Sequence, residues 1–355
     1  MTDAYLNRVG HAVPPNDVHR TFIDFAEGLL ATNRDRALFR RMAERGQIEH
    51  RWSSLKPHPR PGVGASVDDG GFYRPGDFPS TGARMRRYEE AAPDLAEAAV
   101  RSLDLGGRER EISHLIVVTC TGFMAPGLDL KLVDRLGLRS DVERTIVGFM
   151  GCHAAMNGLR LARHIVRSEP EARVLVVAVE LCTLHLQETA DLEQVLSFLV
   201  FGDGAAAALV TAEPEGIALD VFATILVSED PSLITWSVRD TGFDMVLSGK
   251  VPGVLRGALE GTTDRFTAAA GGPIDLWAVH PGGRSVLDAV EGAFRLPGQA
   301  LAASRAVLRE FGNMSSATIL FVLARLMAVA GPGQGLAMAF GPGLTAETLI
   351  FRKVA

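Results

Sequence analysis

Long apolar runs are missing from this sequence. No stretch approaches the roughly 20 consecutive apolar residues that span a bilayer, so no integral membrane segment is expected. The opening residues, MTDAYLNRVGHAVPPND, have no basic segment leading into an apolar one, which makes a cytoplasmic protein the expectation. Cysteine is scarce: Cys120, Cys152 and Cys182 are the only three in 355 residues. An odd set spaced about 30 apart is neither a disulfide framework nor a CxxC metal site, so reduced thiols and no metal are expected. Positive charge is not in excess either. A formal charge of -6 argues against nucleic acid or an anionic membrane as a partner, and any anionic ligand has to meet a local basic patch.

What is present describes a globular chain with tight turns, with 47% hydrophobic residues and 37 glycines. Its length exceeds what one core comfortably holds, which suggests two halves. FIDFAEGLL and RALFRRMAERGQIEHRW have helical spacing, and the Pro/Gly-rich stretch from Lys56 to about Thr81 reads as loop. A long helix is expected from Arg84 to about Leu103, broken or restarted near Pro93. HLIVVTCTG, ARVLVVAVELCT and AAAALVTA read as buried strands, with LDLKLVDRLGL and HAAMNGLRLARHIV as helices between them.

The same order recurs in the C-terminal half. IDLWAVHPGG matches HLIVVTCTG, FGNMSSATILFVLARLM matches FMGCHAAMNGLRLARHIV, and GQGLAMAFGPGLT matches EARVLVVAVELCT. The spacing from Cys120 to Cys152 agrees with that from His280 to Asn313, and that from Cys152 to Glu180 with that from Asn313 to Phe340. Duplicated α/β halves, 1–212 and 213–355, placed face to face would gather equivalent strand ends and helix starts around one centre. That symmetry nominates Cys152, His280 and Asn313. A helix start favours a thiolate, so Cys152 is expected to ionise well below about 8.5 with His280 as its partner. A cysteine with two neutral donors suits attack on a thioester and stabilisation of a developing enolate, where an amide donates and a carboxylate would repel. Carbon–carbon bond formation follows from that choice of groups.

GFMGCHAAMNGLRLA, FGDGAAAALV, WAVHPGG, FGNMSSAT and AFGPGLTAET resemble the motifs of type III polyketide synthases, the group of the chalcone and stilbene synthases, from about Arg41 to the C-terminus. The resemblance implies a thiolase-like αβαβα fold with the active site between the halves, a homodimer, malonyl-CoA and acyl-CoA as substrates, and no cofactor. It implies Cys152 as the acyl carrier, with His280 and Asn313 promoting malonyl-CoA decarboxylation. It also implies Phe201 and Phe243 as a gate, and a substrate cavity drawn from Cys120, Thr121, Ala125, Cys182, His185, Ser315, Gly341, Pro342 and Gly343. Cys120 and Ala125 replace the threonine and methionine of plant members, and Cys182 and His185 replace threonines. Small Ala125 implies room for a medium or long fatty acyl starter and an alkylresorcinol or alkylpyrone product. A malonyl-primed synthase of the tetrahydroxynaphthalene or phloroglucinol type, or a ketoacyl synthase III-like enzyme, remains the alternative. For the CoA phosphates the arginine-rich stretch offers Arg41, Arg45 and Arg51, with Glu49 where the family usually has a cation.

Overall fold

Strands in this chain are sorted between cores by the alternation of their side chains. In Val174–Leu181, Val174, Val176 and Ala178 face one hydrophobic cluster while Leu175, Val177, Val179 and Leu181 face another, all fully buried. Such a strand must lie in a sheet covered on both faces. The computed structural model describes residues 2–59, 66–227, 229–329 and 331–354.

The N-terminal half contains β1 (Tyr5–Ala12), β2 (His114–Thr119), β3 (Glu143–Gly148), β4 (Val174–Leu181) and β5 (Asp203–Thr211), in the spatial order β3-β2-β4-β5-β1. The C-terminal half contains β6 (Ile217–Leu226), β9 (Leu276–Val279), β10 (Gly333–Gly341) and β11 (Thr345–Lys353), in the order β9-β10-β11-β6. Between β6 and β9 a separate hairpin is formed by β7 (Ile234–Arg239) and β8 (Gly242–Leu247). In these orders β2, β4, β5 and β1 correspond to β9, β10, β11 and β6, and the edge strand β3 has no counterpart among the described residues. β2–β4 and β9–β10 are parallel, whereas β4–β5, β5–β1, β10–β11 and β11–β6 are antiparallel. The halves join through a short ladder, Tyr5↔Ala218 and Leu6↔Ile217.

Helices complete five layers. α5 (Ala154–Ser168) touches β2, β4 and β5 of one half and β6 and β11 of the other. α7 (Thr318–Ala328) likewise reaches β1, β5 and β9, so the two form the middle layer. α3 (Thr81–Leu103) and α4 (Leu128–Leu136) cover the N-terminal sheet outside, and α6 (Arg284–Phe294) and its neighbours cover the C-terminal one. The duplicated αβαβα architecture expected from the sequence is therefore present. No helix among the described residues is long and apolar enough to cross a membrane.

Two local expectations are corrected. The long helix neither breaks nor restarts at Pro93 but runs through it as α3. Proline frees the carbonyl four residues back, and Lys131 Nζ donates to that Glu89 carbonyl at 3.5 Å. Of the two early helices, α1 is His19–Leu29 and α2 is Asn33–Arg45. α2 stops well before Trp52 because Gly46 caps it and Gln47 turns with φ 57, after which Trp52–Ser53 pairs with Asn16–Asp17. The expected loop from Lys56 to Thr81 carries only isolated bridges where it is described, and residues 60–65 lie outside the described residues.

Candidate active site

Equivalent positions of the two halves meet at one cavity. Cys120 directly follows β2 and His280 directly follows β9. Cys152 stands two residues before α5, and Asn313 two residues before the Ser315–Ala317 turn that leads into α7. Glu180 and Phe340 are the second-last residues of β4 and β10. Cys120, Cys152, His280, Asn313 and Phe340 all line the cavity, and Glu180 lies buried behind it.

Glycines make this convergence possible. A Cβ on Gly151, whose φ is +81, would meet Pro342 Cδ at 2.4 Å. One on Gly341 would meet the His153 ring at 2.4 Å. The turn before Cys152 is thus pressed against Gly341–Pro342, a closeness only glycine allows.

Asn313 is held in one orientation. Its Oδ1 accepts the Ser315 N–H at 2.9 Å, which turns the Nδ2 amide toward Cys152 Sγ at 3.9 Å. The isolated bridge Phe201↔Asn313 fixes its backbone. His280 is fully buried, and neither ring nitrogen has a hydrogen-bond partner among the described residues. Such a group is costly unless a ligand completes it. Glu180 is the opposite case: its carboxylate accepts from Cys120 N at 2.9 Å, Thr121 Oγ1 at 2.8 Å and Ser316 Oγ. Burial raises its pKa to about 7.

The thiols differ in access. Cys120 and Cys182 are buried and burial pushes both well above the ordinary thiol value, while Cys152 alone is partly exposed. Burial also raises Cys152 to about 11, against hydrogen bonds from Ser315 and Asn313 that lower it. Burial therefore acts against the low value expected for Cys152 at a helix start with His280 as its partner. Burial drives His280 down to about 3. Each group taken singly prefers to be neutral, so an ionic pair forms only by passing the Sγ proton to the imidazole, two opposite charges then arising together in one low-dielectric cavity.

One wall of the cavity is built from aromatic rings, of which Trp236 was not nominated from the sequence. Trp236 Nε1 donates to the Cys120 carbonyl and His185 Nε2 to the Thr121 carbonyl, each at 2.7 Å. His185 Nδ1 accepts the Phe243 N–H at 3.0 Å, a pattern that fits the neutral Nε2–H tautomer; burial holds its pKa near 3. The His185 and Trp236 rings meet edge-on at 5.3 Å.

Of the residues nominated from the sequence, Phe201, Cys120, Thr121, Cys182, His185, Ser315, Gly341 and Pro342 line the cavity, and Phe243, Ala125 and Gly343 do not. Phe243 is 1% exposed and stacks on His185 at 4.1 Å, so it backs the wall. Two residues along the same face of β8, Met245 lines the cavity instead. Strand parity was the signal for Met245, and it was missed because methionine does not suggest a gate. Ala125 is exposed, as are the apolar residues Phe123, Ile146 and Met150. Gly343 supplies a φ of +74 to the turn that follows β10.

The inner cavity is narrow, about 70 Å³, and it adjoins an outer cleft of about 1020 Å³ with which it shares Leu247, Val251, Gly282 and Val286. Arg45 lines the cleft; Arg41, though exposed, does not. Arg51 is no phosphate ligand. It is 0% exposed, and its guanidinium donates to His19 Nδ1 at 2.9 Å and to the Phe198 and Phe201 carbonyls at 2.5 and 3.1 Å. Among the described residues no group of three or more His, Cys, Asp or Glu side chains could hold a metal ion.

Comparison with known proteins agrees across the chain. Residues 75–214 match the N-terminal domain of chalcone and stilbene synthases, and residues 219–355 the C-terminal domain. A bisdemethoxycurcumin synthase of Oryza sativa subsp. japonica is 35% identical, covering 98% of this chain and 92% of its own. The alpha-pyrone synthesis polyketide synthase-like Pks18 of Mycobacterium tuberculosis is 34% identical over 74% of this chain and 71% of its own. Among solved structures, the C-terminal type III polyketide synthase domain of Steely1 from Dictyostelium superposes with a TM-score of 0.88 at 25% identity, covering 99% of this chain and 100% of that one. PKS-I from the brown alga Ectocarpus siliculosus gives 0.88 at 28%, covering 100% and 99%.

Proposed function

The chain belongs to the chalcone and stilbene synthase family of type III polyketide synthases, and from that premise we propose that it condenses malonyl-CoA onto a short acyl starter carried by Cys152. The half 1–212 supplies the nucleophile and the half 213–355 the two neutral donors. His280 takes the Sγ proton, the thiolate attacks the starter thioester, and CoA leaves as its thiol. Malonyl-CoA then loses carbon dioxide, and His280 and Asn313 donate to the enolate oxygen that results. The enolate carbon attacks the acyl carbonyl on Cys152 and the thiolate departs. Repetition extends the chain, and closure on itself gives a pyrone or resorcinol ring. The observation that carries this reading is one unsatisfied group and one aimed group on the same cavity: a buried imidazole without a partner among the described residues, and an amide turned toward Sγ.

The narrow inner cavity favours a short starter, including one derived from malonyl-CoA, over the long fatty chain expected from Ala125. Trp236 and His185 are each tied to a buried carbonyl, and moving either ring forfeits a hydrogen bond worth about 1 kcal/mol while leaving the carbonyl unpaired. Ala125 and its apolar neighbours fit a face buried in a homodimer, which size-exclusion chromatography with light scattering tests. The experiment for the starter is product mass and kcat/KM with malonyl-CoA and acyl-CoAs of graded length. Values highest at two to four carbons support the short starter, and a rise with length restores the long-chain one.

A further inference from the structure

We propose that Arg284 is a phosphate-binding residue for coenzyme A, acting with Arg45 from opposite walls of the outer cleft; this rests on the CoA-dependent activity proposed above. Arg284 is the first residue of α6 and Arg45 the last of α2, and both line the cleft. Arg284 Nη1 donates to the Arg45 carbonyl at 3.1 Å, which joins the walls and brings the two arginines together. Arg284 Nε is buried and makes no hydrogen bond among the described residues, which leaves a donor for a ligand. Asp288 pairs with Arg284 at 3.4 Å but also with Arg305 at 2.7 Å, and Glu193, the other acid of the cleft, accepts the Gly249 N–H. An anion with several oxygens uses the fork geometry of a guanidinium and the donors that these contacts leave free.

Position and charge agree with this assignment. Four residues separate Arg284 from His280, a span of at most about 14 Å, which the pantetheine arm of CoA bridges. The other basic side chain on the cleft among the described residues, His19, is neutral, because burial and Arg51 lower it to about 4. Glu49, at a position usually cationic in the resemblance, does not line the cleft and faces Arg309 at 3.9 Å. The charge missing from that position is thereby supplied from α6.

The test compares kcat/KM for malonyl-CoA with that for the malonyl thioester of N-acetylcysteamine, which lacks the nucleotide, in the wild type, Arg284→Ala and Arg284→Lys. The ratio of the two is expected to fall roughly ten- to a hundredfold in Arg284→Ala, the worth of a charge-assisted hydrogen bond, and to recover in part in Arg284→Lys. A ratio equal to that of the wild type, with both substrates affected alike, would show a purely structural role and overturn the proposal. Turnover of the N-acetylcysteamine thioester by the wild type tests the condensing activity separately.

Discussion

At the end of β2 the N-terminal half places Cys120, and at the equivalent end of β9 the C-terminal half places His280. The helix starts pair Cys152 with Asn313, and the late positions of β4 and β10 pair Glu180 with Phe340. The difference lies in how the polar groups are satisfied. In the N-terminal half Glu180 collects three donors, and Cys120 Sγ accepts the Gly151 N–H at 3.1 Å. In the C-terminal half His280 has no partner among the described residues, and Asn313 turns its amide into the cavity. An unpaired buried group costs about 1–3 kcal/mol, so His280 stands in the cavity with hydrogen-bonding capacity unmet, where Glu180 and Cys120 are satisfied. The chemistry is expected at His280 and Asn313, with the N-terminal half contributing one accessible thiol.

The sharpest way to break that comparison is to exchange the thiols. Cys152→Ala is expected to reduce CoA release from malonyl-CoA plus starter by roughly 10⁴-fold or more, whereas Cys120→Ala, at the position equivalent to His280, loses no more than about tenfold. Next in size, Asn313→Ala is expected to slow malonyl-CoA decarboxylation about 10²- to 10³-fold. Asn313→Asp should fall as far, because a carboxylate repels the enolate, while loading of the starter continues in both.

Much of this was legible in the sequence, for reasons that also set the limit. β-branched runs bounded by glycine or charge marked β2, β4 and β5, and matched spacing marked the three residues that converge, because both are local or internal properties. Arg51 was read as a surface cation and proves to be a buried tie to the Phe198 and Phe201 carbonyls, a role fixed by packing. Phe243 and Ala125 stood at family positions, yet which side chain reaches the cavity depends on the folded loops and, for Phe243, on the hairpin β7–β8. The Cys152 expectation weighed a helix start without the desolvation that only the folded cavity imposes.

Two smaller effects sharpen the contrast. With His280 removed, Cys152 loses its proton acceptor and keeps its burial. The pH profile of alkylation in His280→Ala is therefore expected to rise only toward about 11, above that of the wild type, and coincident profiles would mean that no pair forms. Glu180 reports through stability. Its folded pKa of about 7 exceeds the ordinary value of 4.5, so its contribution is complete below about 4.5 and is lost as pH rises through about 7. Denaturant unfolding should show about 3 kcal/mol of pH-dependent stability across that window that Glu180→Gln lacks.

The most direct test of the account is to incubate the protein with a short acyl-CoA, digest it, and locate the added acyl mass. The prediction is a thioester on the peptide containing Cys152 and on neither of the peptides containing Cys120 and Cys182. Acylation of Cys120 or Cys182 in its place would contradict the assignment of the nucleophile, and with it the division of labour between the halves.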